Sequence, residues 1–111
     1  MQTLTLPIRK FPAPAIYFVL ADFGKLGASW QERDQDQTGR ETTIRDIISG
    51  EIDAPLKVIE ADLDGGSSRD VTIEIAKEVA QRVAGETVRH DLLNWLHDYA
   101  GIRHCNALEV A

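Results

Sequence analysis

The sequence predicts an α+β domain of two layers, helices laid over one face of a small sheet. Three observations carry this. "AIYFVLAD" has apolar residues at both parities of a strand, "LKVIEAD" is a strand-like run after the stop signal "DAP", and three segments repeat apolar residues at helical spacing. The predicted element order is β-β-α-β-α-α. The second strand, first helix and third strand form a crossover, so the strand that is apolar on both faces belongs between its partners. The expected sheet is three-stranded, antiparallel or mixed, in the order 2-1-3.

The elements follow in order. Ile16, Phe18 and Leu20 alternate with Tyr17, Val19 and Ala21 in the first strand. "LGASWQERD" alternates Leu26, Ala28 and Trp30 with Gly27, Ser29 and Gln31, which predicts an outer strand with one buried and one wet face. Between them, "DFGK" supplies Asp22 for a turn and Gly24 for a positive φ. The Asp-Phe-Gly tripeptide is also the magnesium-binding motif of protein kinases. Its companions there, a glycine-rich loop, a strand lysine and a catalytic loop, are missing from this sequence, so Asp22 reads as a hairpin residue.

Ile44, Ile47, Ile48 and Ile52 predict a short amphipathic helix, with Thr38 or Thr42 as its cap and Gly50 at its end. "SSRDVTIEIAKEVAQRVAGE" is the clearest helix, its stripe formed by Val71, Ile75, Ala76, Val79, Ala80 and Val83. In "ETVRHDLLNWLHDYAGI", Val88, Leu92, Leu96 and Tyr99 share a face, Thr87 can cap the start and Gly101 can end it. One domain over residues 1–111 is expected: an extension at 1–14, a core at 15–101 and a flexible tail at 102–111. Phe18, Val19, Ile59, Val79, Val83, Leu92 and Leu96 are the expected core.

Composition narrows the classes of function. A chain of 111 residues with 43% apolar and 27% charged residues fits one folded, soluble unit. The longest apolar run, Ala13 to Ala21, is far below the roughly 20 residues of a membrane helix and contains Pro14. The start of the chain lacks the charge order of a secretory signal, and the single Cys105 cannot form an internal disulfide, so a cytoplasmic location is expected. Net charge is −6, with −7 concentrated in residues 31–80. An acidic chain without a basic stripe is repelled by phosphate backbones, which argues against nucleic-acid binding.

No motif assembles a catalytic or metal centre in the sequence, and no cofactor is expected. His90, His97 and His104 recur every seven residues, about 10.5 Å along a helix, too far for a shared zinc ion. The acidic run "EADLDGGSSRD" departs from a calcium loop because glycine follows Asp64 directly. "QERDQDQ" reads as a solvated edge.

The run "FVLADFGKLGASWQERD" followed by "ETTIRDIISGEIDAPLKVIEADLDGGSSRDVTIEIAKEVAQR" resembles a group of small bacterial proteins sharing the hairpin, the acidic segment and a "SRDV" helix start. The resemblance spans about residues 16–82 and implies no activity, so it transfers no catalytic residue. Many members carry an aromatic residue where this chain has Ser67.

Two classes of function remain. The favoured one is a non-catalytic interaction or regulatory module, a homodimer or the partner of another protein. Its expected interface is the last helix, where Leu92, Trp95 and Tyr99 widen the apolar stripe beyond what one packed side needs. The alternative is a small-molecule or anion-binding protein using Gly65, Gly66, Ser67, Ser68 and Arg69. Placed at a helix start, that segment would offer unpaired N–H groups, hydroxyls and a guanidinium.

Overall fold

A computed structural model describes residues 15–22, 25, 27–31, 38–53, 55–62, 65–101 and 105–109. The strands are β1 (Ala15–Asp22), β2 (Ala28–Trp30), β3 (Lys57–Asp62), β4 (Ser67–Asp70), β5 (Thr87–Val88) and β6 (Leu108–Glu109). The helices are α1 (Arg40–Ser49), α2 (Thr72–Arg82) and α3 (His90–Tyr99). The main sheet is antiparallel in the order β2-β1-β3-β4. The expected order 2-1-3 is therefore present, with a fourth strand added beyond β3.

That fourth strand corrects the reading of "SSRD" as a helix start. Ser67–Asp70 pairs along β3 from Asp62↔Ser67 to Ile59↔Asp70, and the helix begins only at Thr72. The reason lies in the turn before it. The Asp62 carbonyl accepts from Gly66 N at 2.8 Å, and its carboxylate accepts from Gly65 N at 3.2 Å. Gly66 has φ +72°, and a Cβ on Gly65 would sit 2.8 Å from Asp62 Oδ2. Gly66 is thus favoured by a β-hairpin turn, with Gly65 packed against the Asp62 carboxylate, and the turn returns the chain beside β3.

The β1–β2 hairpin is where the sequence placed it, with Asp22 paired to Ala28. The positive φ seen there belongs to Gly27, at +85°; Phe23, Gly24 and Leu26 lie outside the described residues. All three residues of β2 are exposed, against the expectation of one buried face.

The helices cover one face. Val19 and Val58 in the sheet are fully enclosed by Ile44 and Ile47 of α1, Ile75, Ala76 and Val79 of α2, and Leu92, Trp95 and Leu96 of α3. The α2 stripe is buried at every expected position, including Val71 and Val83. Helix α1 has Gly39 at its N-cap, with neither Thr38 nor Thr42 capping it, and Gly50 at its C-cap with φ +94°. Its last carbonyls are held from a distance: Arg89, at the N-cap of α3, donates to Ile48 O at 2.7 Å and to Ile47 O at 3.4 Å. A guanidinium there satisfies orphan acceptors and complements the negative end of the helix dipole.

Two further expectations change. Thr87 does not cap α3; Thr87–Val88 instead pairs in parallel with Leu108–Glu109, so part of the expected flexible tail is bound into a small second sheet. Phe18 is 45% exposed and Ile59 half-buried, although both were expected in the core. Val19, Val79, Val83, Leu92 and Leu96 are buried as expected.

Candidate functional site

Strand pairing divides the main sheet into two chemically different surfaces. Because side chains alternate along a strand, the register puts Tyr17, Val19 and Ala21 with Val58 and Glu60 on the helix side. Ile16, Phe18 and Leu20 then share the other side with Trp30 of β2, Lys57, Ile59 and Ala61 of β3, and Ser68 and Asp70 of β4.

The helix side ends in a lattice of ion pairs. Tyr17 donates its hydroxyl to Glu60 Oε2 at 2.5 Å and accepts from Arg40 Nη1 at 3.4 Å. Arg40 also pairs with Glu74 at 3.2 Å and Glu78 at 2.7 Å, and Arg82 joins Glu78 to Glu41 at 2.8 and 2.6 Å. Arg69 closes the other end, pairing with Glu60 at 2.9 Å and Glu74 at 3.2 Å. The Tyr17 hydrogen bond, helped by Arg69, holds Glu60 below the usual carboxylate range despite its partial burial. Arg40 does the same for Glu78. Burial, reinforced by the bond to Glu60, raises the Tyr17 phenol. Every group is ionised or bonded to a neighbour, so the lattice ties β1, β3 and β4 to α1 and α2. It stitches the two layers together.

The residues of the expected anion site do not lie at a helix start. Gly65 and Gly66 form the hairpin turn, and Ser67, Ser68 and Arg69 lie in β4. Arg69 is already engaged by two carboxylates. At the true start of α2, Asp70 Oδ1 accepts from Thr72 N at 2.9 Å and from Thr72 Oγ1 at 2.6 Å. Those bonds depress the Asp70 pKa. The protein's own carboxylate therefore occupies the position from which the helix terminus would attract an anion.

Two residues of the expected α3 interface are buried within the protomer. Leu92 and Trp95 are 2% and 3% exposed. Trp95 Nε1 donates to Pro55 O at 2.8 Å, and its ring meets Tyr99 at a centroid distance of 5.6 Å. Tyr99 is half-buried, its hydroxyl near Leu56 O at 3.4 Å. The width of the stripe is explained within the protomer: α3 covers both the sheet side and the segment leading into β3.

Beside Trp95 and Tyr99, an acidic cleft is lined by Asp53, Asp91, Asn94 and Asp98. A hydrogen bond with Asp91 raises the Asp53 pKa, and Arg89 pairs with Asp91 at 3.2 Å. Among the described residues no three histidine, cysteine or acidic side chains are grouped as a metal site needs. His90 and His97 fall on α3, and His104 lies outside the described residues. Cys105 is half-buried against the core. No described helix is long and apolar enough to cross a membrane.

What remains is the open side of the sheet. Phe18 and Trp30 are 45% and 51% exposed, and they line one shallow apolar depression with Lys57, Ile59, Ala61 and Ser68. Leu20 lies directly across from Trp30 and Phe18 directly across from Ile59, so the large side chains are contiguous. Sequence reasoning missed this surface, although its signal was present: a strand apolar at both parities puts apolar side chains on both faces of the sheet, and the described helices cover one. Comparison with known protein families, with curated proteins and with solved structures finds no match to this chain.

Proposed function

We propose that this chain is a non-catalytic protein-interaction module and that the open side of the sheet, centred on Phe18, Trp30 and Ile59, is its docking surface. The observation supporting the reading is two aromatic side chains, each about half exposed, side by side on an ordered sheet. Isolated exposed apolar residues are ordinary on protein surfaces; a contiguous patch built on a rigid element marks a partner surface. Aromatic residues on a sheet lose little conformational entropy when covered, which favours them as interface anchors.

A photo-crosslinking residue tests the reading. Benzoylphenylalanine at position 18, in the cell of origin, is expected to give a discrete protein adduct that Trp30→Glu abolishes. The same residue at the exposed Lys77 on α2 is expected to give none. Equal labelling at both positions, or labelling at 18 that ignores Trp30→Glu, rejects the docking surface.

A further inference from the structure

The docking surface carries charges that say what covers it. Resting on the preceding reading, we infer that its occupant is a second copy of this chain, stacked face to face about a two-fold axis. The whole chain carries −6, yet the charged residues of β3 and β4 on the open side are one cation and one anion, Lys57 and Asp70. Two copies meeting there can set each cation against the other copy's anion. The Lys57 side chain is exposed and makes no hydrogen bond or salt bridge among the described residues. Its field acts on Asp70, which is also exposed and lies at the rim of the open side, where its Oδ1 is bonded to Thr72.

The register allows the geometry to be worked out. Lys57 lies across from Leu20 and Asp70 across from Ile59, so the two are diagonal neighbours on adjacent strands. With strands about 4.8 Å apart and about 3.4 Å per residue, the in-plane two-fold that exchanges Lys57 with Asp70 crosses the sheet beside Ile59. The axis sets Phe18 and Ile59 of one copy against Phe18 and Ile59 of the other. It carries Trp30 over Ala61 and Ser68, the smallest side chains of the surface. The strands of the two copies then cross at about 70°, near the orthogonal mode in which sheets pack. One operation thus pairs opposite charges twice, stacks the apolar centre on itself and seats the largest ring over the smallest residues. Such self-complementarity is what an isologous interface requires.

Sedimentation equilibrium on the purified full chain tests the inference. A reversible monomer–dimer equilibrium is expected in the micromolar range, abolished by Phe18→Glu. Lys57→Met and Asp70→Asn remove one charge each while keeping the aliphatic stem and the oxygen that caps α2. Each is expected to weaken the dimer about tenfold, because symmetry repeats the pair, and the double variant should be no weaker than the weaker single one. A monomer at several hundred micromolar overturns the second copy, as does a dimer indifferent to Phe18→Glu or strictly additive charge effects. A position-18 crosslink to a different protein would also overturn it while leaving the docking surface standing; loss of the Trp30-dependent crosslink would remove the surface itself.

Discussion

The two faces of one strand differ more than any two elements of this molecule. On β1, Val19 is completely buried, while its neighbour Phe18 is 45% exposed. Both positions are apolar, and both sit at the centre of the same sheet. On one side three helices close over Val19 and Val58, and beyond that core the Tyr17–Glu60–Arg40 lattice ties helices to strands. On the other, Phe18, Trp30 and Ile59 form a smooth surface without such a lattice among the described residues. Hydrophobicity at a position therefore does not by itself say that this chain's own helices cover it.

Substitutions on the two sides should separate folding from association, and the largest effect belongs to the covered side. Leu96→Ala, at a fully enclosed position, is expected to cost about 3 kcal/mol in urea denaturation. A loss under half a kcal/mol would mean that α3 is not packed as described. Arg40→Met should cost less, about 1 kcal/mol, because Arg40 is partly exposed and its partners keep other contacts: Tyr17 with Glu60, and Glu78 with Arg82. High salt should shrink that loss, whereas the cost of Leu96→Ala should be unaffected.

A pH series probes the same lattice without mutation. Glu60, Glu78 and Asp70 all have folded-state pKa values below their ordinary ones. Their contribution is therefore complete above the ordinary carboxylate range and is lost as pH falls through and below about 4. Denaturation midpoints at pH 7, 5 and 3 should decline mainly in the last interval, and Arg69→Met should flatten the decline by removing one partner of Glu60. A midpoint that rises toward pH 3 would contradict the lattice. The smallest effect belongs to the open side. Phe18→Ser is expected to change monomer stability by less than about 1 kcal/mol, measured below the association range, since the side chain is already half in water. A loss matching that of Leu96→Ala would show that Phe18 serves the monomer's own core.

The same contrast explains how much was legible in the sequence. Periodicity located the three helices and the order of the first three strands, because apolar spacing at Val71, Ile75, Val79 and Val83 or at Leu92 and Leu96 admits one buried face. It could not tell whether the second face of β1 is covered by this chain, so Phe18 and Ile59 were assigned to the core. β4 was missed because Ser67, Ser68 and Arg69 have neither alternation nor strand propensity. Its real signal was the Gly65-Gly66 pair: two glycines following an acidic residue at a strand end mark a hairpin as well as a helix entry. Trp95 was read as surplus surface because the segment running from Ile52 to Leu56, whose Pro55 carbonyl it bonds, has no periodicity to betray it. The two-residue pairing of β5 with β6 is too short to leave any pattern.

Arg89 has a consequence for the order in which the molecule can be made. The carbonyls that end α1 receive their donors from a residue 41 and 42 positions later. During synthesis the first helix leaves the ribosome before that donor exists, and water must serve its terminus until α3 arrives. Contacts of such sequence separation slow folding. They also tie the last turn of α1 to the start of α3, so that the C-terminal carbonyls of one helix are satisfied only when the other is docked.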